Sequence, residues 1–272
     1  MSRRTLWVAC GSCRSDSAHK LLYPVHMFEE HLEGELQIAR RVMGQLLPHA
    51  MPVIRGFETA AINRPARDVG GDYYEFIPLA EDRFGLATAD VVGKGMAAAL
   101  LVAATRASLF TLVELELAQR AIMRRMNAFL YHSTEEGKFV TLFYVVLDLR
   151  TRRLIYVNAG HVPPILVRSH GAVELLEEGG VPLGLFEDAR YVEGFAGLDP
   201  GDVLALYTDG ITEAMSGNEH EHLYGRERLI ASLRQRRSAP AGDICRECMR
   251  EVEEFGRGQT ADDQTLVILK AT

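Results

Sequence analysis

Four aspartates stand at the ends of apolar runs, each beside glycine or a second carboxylate: Asp72 in VGGDYYEF, Asp90 in LATADVVGKG, Asp209 in LALYTDGITEA and Asp262 in TADDQTLVIL. Carboxylates brought within a few Å raise each other's pKa and repel, so a chain that positions several at strand ends needs a compensating cation. Every such ligand is an oxygen, and no cysteine or histidine stands at matching positions, which selects Mg²⁺ or Mn²⁺ over zinc. The chemistry this predicts is metal-assisted phosphoryl transfer. A single Gly-Asp pair reads as a turn. Four together, all at strand ends, carry the metal reading.

The residues around them refine it. The paired glycines before Asp72 let the backbone turn sharply and approach closely. Gly93 and Gly95 allow a tight turn after Asp90, where the Val91 carbonyl is a further oxygen ligand of the right hardness. His161 and Asn158 in NAGHVPP either act on a leaving oxygen or fix a strand-end turn. Arg64 and Arg67 either hold a phosphate bidentately or are solvated. Lys94 reads as a surface residue.

The elements that must position these groups follow from periodicity. Residues 1–27 show no sustained period and read as a loose leader. From Phe28 to Leu47 the stripe Phe28, Leu32, Leu36, Ala39, Met43, Leu46 predicts a helix, stopped by Pro48. It is either a coiled-coil seam or a face packed on the domain. After it come short strands in VIRGFETAAI, GDYYEFIPL and RFGLATADV. A helix from Gly95, apolar almost all round through Ala104, is expected to be buried, and a second helix is expected from about Glu116 to His132. FVTLFYVVLDL and RLIYVNAG, joined by Arg150-Thr151-Arg152, predict a hairpin. Further strands lie in PILVR, AVELLE and DVLALYTDG. Helices near Tyr224–Arg236 and Ala241–Phe255 precede a last strand, Gln264–Lys270. Strands group with strands and helices with helices, which argues for an α+β layered domain with antiparallel sheets.

At 272 residues, 47% of them apolar, the chain can bury the core of one large domain. A net charge of −7 argues against nucleic acid as a partner. No run reaches the roughly 18 consecutive apolar residues that span a bilayer; the nearest, from Met96, is broken by Arg106. The apolar stretch Leu6 to Ala9 is too short for a secretory signal, so the expected location is the cytoplasm, with no membrane partner. Cys10/Cys13 and Cys245/Cys248 form two C-x-x-C pairs. The second sits at helical spacing with Ile244, Val252 and Phe255, and reads as core in preference to zinc.

Eight blocks, in order, resemble those of the metal-dependent protein phosphatases (PPM), in their bacterial SpoIIE/RsbU-like branch: ARRVMGQLLP, RPARDVGGDYYEF, ADVVGKGMAAAL, VNAGHVPPILV, GVPLGL, LDPGDVLALYTDGITEA, LYGRERL and ADDQTLVIL. The resemblance covers about Glu35 to Leu269. It implies a four-layer α-β-β-α sandwich of two stacked antiparallel sheets over residues 49–272, preceded by a regulatory-type helix at 28–48 that serves a partner or homodimer contact. By the same resemblance Asp72, Asp90, Asp209 and Asp262 hold two Mn²⁺ or Mg²⁺ ions. Asp90 would bridge them, the Val91 carbonyl would join one, and Asp263 would be a ligand or a support just outside. The implied activity is hydrolysis of phosphoserine or phosphothreonine on a protein by metal-activated water, with no covalent enzyme intermediate. The implied substrate is a phosphorylated anti-anti-sigma factor of the STAS type. Glu75 and Val92 depart from the family's usual aspartate and serine. The competing reading is a phosphatase-shaped scaffold that binds a signalling partner without turnover; a degraded ligand set would mark it, and here the set is intact.

Overall fold

The computed structural model describes residues 25–67, 69–79, 82–115, 118–216 and 222–272. The leader and the Cys10/Cys13 pair fall outside the described residues, apart from the first turn of a helix.

Helix α1 (Val25–Leu46) leads into β1 (Phe57–Arg64), β2 (Asp72–Pro78) and β3 (Arg83–Val91). Helices α2 (Met96–Val113) and α3 (Gln119–Ser133) follow, then β4 (Val140–Asp148), β5 (Arg153–Ala159), β6 (Ile165–Val167) and β7 (Val173–Leu175). Two short strands, β8 (Gly179–Gly180) and β9 (Gly194–Gly197), precede β10 (Val203–Tyr207), the single turn α4 (Asp209–Thr212), α5 (Gly225–Arg236), α6 (Ala241–Phe255) and β11 (Gln264–Ala271).

These strands make two sheets. The first runs β1-β11-β10-β6-β7 and the second β2-β3-β4-β5-β8, with β9 also on β5. All pairings are antiparallel except β5 with β8. The expected hairpin joins β4 and β5; Asp148 Oδ1 accepts from the Arg150 and Thr151 amides, and Arg152 takes the left-handed conformation that closes the turn.

Three apolar clusters set the layering. Phe57, Phe76, Leu86, Phe143, Tyr156, Leu204, Leu206 and Leu269 fill the space between the sheets, where Phe143 and Tyr156 stack at 5.4 Å between centroids. Burying such a ring is worth roughly 1.5–3 kcal/mol. The outer face of the second sheet packs on α2 and α3 through Tyr73, Ala89, Val102, Leu109, Met123 and Met126. The outer face of the first packs on α5 and α6, where Cys245 and Cys248 are free, buried thiols. The result is helix, sheet, sheet, helix: the four-layer α+β sandwich expected from the sequence.

One expectation needs correction. Helix α2 is not buried all round: Ala98, Ala99, Val102, Thr105, Leu109 and Val113 face the sheet, but Leu100 is 66% exposed. Both α3 and α1 touch the helix, and Leu100 lines an open groove between α2 and α3. The helix also runs on past Ala104 to Val113, and by length and composition could cross a bilayer. In this fold its one charge, Arg106, pairs with the buried Glu75 of β2 at 2.9 Å and lies over Phe110. In α1, Met43 packs against the domain while Ile38 and Val42 are exposed, so part of the predicted stripe faces inward.

Candidate metal centre

The carboxylates meet at one end of the sandwich because strand register brings them there. Asp72 opens β2 directly opposite Asp90 near the end of β3. Asp209 begins α4 just after β10, and Asp262 and Asp263 precede β11, the neighbour of β10. Two ligand candidates therefore come from each sheet.

Asp72 is the most enclosed, 5% exposed, and its Oδ2 accepts from Thr208 Oγ1 at 2.7 Å and Thr265 Oγ1 at 2.6 Å. Thr265 in turn accepts from Asn63 Nδ2 at 2.8 Å. This chain ties the second sheet to β1, β10 and β11 of the first and leaves Oδ1 of Asp72 free of protein hydrogen bonds among the described residues. Asp263 is a loop anchor. Its Oδ1 accepts from the Ala66 amide at 2.7 Å and its Oδ2 from the Gly71 amide at 2.5 Å, so both oxygens hold the loop before Asp72. Glycine at position 70 suits this close approach, because a Cβ there would lie 2.9 Å from Asp263 Oδ2, and one at position 71 would lie 3.1 Å from the Val91 carbonyl oxygen.

Electrostatics bind the group together. Burial, and then the charge of Asp90, raise Asp72 well above the usual carboxylate range despite the two hydroxyls. Burial, followed by Asp209, Asp262 and Asp263, pushes Asp90 up to about 7. Asp209 is raised by burial and by Asp262, and Glu213, one turn along, by burial and by Asp209 and Asp262. These are carboxylates that repel one another. Among the described residues no three of them converge closely enough to enclose an ion without rearrangement. Their all-oxygen chemistry and mutual repulsion fit a hard divalent cation, which would let each stay ionised.

The neighbours of the carboxylates resolve the alternatives left open by the sequence, and one of them departs from its reading. Lys94 is at the site: its Nζ lies 3.0 Å from Asp262 Oδ1 and donates to the Ala261 carbonyl at 2.8 Å. His161 is 5% exposed, and burial lowers it to about 4, so it is neutral near pH 7. Its Nδ1 pairs with Thr141 Oγ1 at 2.9 Å, and Thr141 is the register partner of Asp90. Asn158 accepts the His161 amide and donates to its carbonyl, locking the NAGH turn. Both residues brace a strand end. Arg64 is taken by Glu253 of α6 at 2.7 Å, whereas Arg67 is exposed on the loop that Asp263 anchors. Thr208, Thr265 and Glu213 were not among the expected site residues. Their only signal was adjacency: a threonine beside Asp209, another two places after Asp263, and a carboxylate one helical turn past Asp209.

The profile of the family described as Stage II sporulation protein E (SpoIIE) matches residues 80–272. Phosphoserine phosphatase RsbU of Bacillus subtilis (strain 168) is 26% identical over 243 residues, which cover 89% of this chain and 71% of RsbU. The chain spans 35% and 47% of the length of two further curated relatives. Among solved structures, the SiaA-PP2C domain of Pseudomonas aeruginosa superposes with a TM-score of 0.79 at 20% identity, covering 90% of this chain and 98% of that one. The catalytic domain of the serine threonine protein phosphatase PstP, in complex with 2 manganese ions, gives a TM-score of 0.58 at 18% identity over 79% of this chain and 98% of that one.

Proposed function

The chain belongs to the SpoIIE family of metal-dependent protein phosphatases, and from that premise we propose that it is a protein serine/threonine phosphatase dependent on two Mn²⁺ or Mg²⁺ ions. The observation that carries the proposal is the gathering of Asp72, Asp90, Asp209 and Asp262 from both sheets into one mutually repelling group. Asp72, Asp90, Asp209, Asp262 and the Val91 carbonyl would hold the ions; Asp263 would hold the loop that presents Asp72. The manganese complex of PstP, a protein of the same fold, supports this choice of metal. When bound, such ions lower the pKa of water and neutralise phosphate charge.

The chain's own residues then do the positioning. Thr208 and Thr265 fix Asp72 so that one oxygen stays available. Arg67, on the anchored loop, offers a guanidinium fork to a phosphate. A groove of about 470 Å³ starts at Val92–Lys94 and continues to Leu100 and Phe129, which gives a protein substrate an apolar landing beside the carboxylates. The substrate we favour is a phosphorylated anti-anti-sigma regulator of the STAS type, acted on in the cytoplasm, by analogy with the phosphoserine phosphatase RsbU.

The test is hydrolysis of p-nitrophenyl phosphate and of a phosphoserine protein with and without Mn²⁺. Asp90→Asn and Asp209→Asn should each lower the rate by about 100-fold or more, the loss expected when an ion's charge stabilisation is removed. Rates equal to the unaltered chain would end this reading, whereas undetectable turnover by the unaltered chain together with tight partner binding would favour the scaffold.

A further inference from the structure

Lys94 occupies a place that the proposed reaction does not use. It sits between Gly93 and Gly95, both at positive φ, in the turn from β3 into α2, and this turn reaches across to the segment before β11. Its ammonium lies 3.0 Å from Asp262 Oδ1 and 2.8 Å from the Ala261 carbonyl. The same Oδ1 accepts the Asp263 amide at 3.0 Å. One side-chain cation thus ties the turn after β3 to one of the four carboxylates.

We propose that Lys94 is a resident counter-ion of the carboxylate cluster, which a divalent cation must displace from Asp262 when it binds there. The inference rests on the metal reading above. An ion arriving at Asp262 meets a like charge within a few Å, and an ion pair already made has to be broken. Lys94 therefore weakens divalent binding and stabilises the ion-free protein. It sets the Mn²⁺ or Mg²⁺ concentration at which the site fills. With both partners over a third exposed the effect is modest, as for other solvated ion pairs.

The experiment is calorimetric titration of Mn²⁺ into the chelator-treated full chain, the Lys94→Met variant and the Lys94→Arg variant, alongside thermal melts with and without Mn²⁺. Lys94→Met keeps the stem and removes the charge. It should bind at least one Mn²⁺ about threefold or more tighter. Its midpoint should rise further on adding Mn²⁺ than that of the unaltered chain. Lys94→Arg should stay within about twofold of the unaltered chain, since the charge is kept. Unchanged or weaker Mn²⁺ binding by Lys94→Met would overturn the inference, because a mere tether for residues 261–262 loosens the site when cut. If the unaltered chain takes up no Mn²⁺ at all, the metal reading itself fails. The two failures are therefore distinguishable.

Discussion

Asp262 and Asp263 are neighbours with opposite duties. Asp263 gives both oxygens to backbone amides, whereas Asp262 faces Lys94. Asp263→Ala leaves the Ala66 and Gly71 N–H groups unpaired, and each such loss costs about 1–3 kcal/mol. Denaturant unfolding should show that fall in stability for Asp263→Ala and a much smaller one for Asp262→Ala, which should instead impair Mn²⁺ uptake. Equal losses from the two variants would refute the division of labour. Asp90 supplies a second prediction at this scale. Burial and its neighbours hold it at about 7 in the folded chain, against 3.8 for the free group. The folded chain then keeps a proton that the unfolded chain has lost, so stability of the chelator-treated protein falls as pH rises from about 4 to about 7 and levels off above. Melting midpoints in chelator at pH 5 and pH 7.5 measure it, and saturating Mn²⁺ should remove the decline. A midpoint that climbs with pH over that range would contradict the assignment.

At the scale of elements, the turn after β10 and the segment before β11 touch so closely that Gly210 leaves no room for a side chain. A Cβ there would lie 2.1 Å from the Asp263 carbonyl oxygen, which is backbone and cannot swing aside. Gly210→Ala should cost about 1–3 kcal/mol in denaturant unfolding and part Asp209 from Asp262, with Mn²⁺ binding weakened in proportion. A variant as stable as the parent would show that this contact carries no strain. Much of the arrangement was legible beforehand. Alternating and continuous apolar runs gave β2, β3, β4, β5, β10 and β11, and the four Asp-bearing strand ends stood out because acid at the end of an apolar run is costly. What stayed hidden was contact across the sheets. Nothing local marks Thr265 as a partner of Asp72, 193 residues away, or Lys94 as a partner of Asp262. The roundly apolar pattern of α2 also misled, since hydrophobicity tells what a helix would tolerate burying and not how many neighbours it has.

At the scale of the whole molecule, α1 holds the domain with Met43 while it shows Ile38 and Val42, one turn apart, to solvent. If that face joins two copies of the chain, Ile38→Glu with Val42→Glu should halve the mass seen by light scattering and leave the phosphatase rate on p-nitrophenyl phosphate intact; an unchanged mass would remove the homodimer. The sheet topology has a consequence for how the protein comes into being. Strand β1, met first, finds its partner only in β11, met last, with Phe57 opposite Ala271 and Arg64 opposite Gln264. A chain emerging from the ribosome at roughly 5–20 residues per second therefore waits at least about ten seconds between making one and the other. Until then Asp72 lacks Thr265 and the loop before it lacks Asp263. A nascent polypeptide that lacks β11 cannot brace the centre, so the carboxylate cluster is completed only once residues 262–271 have been made.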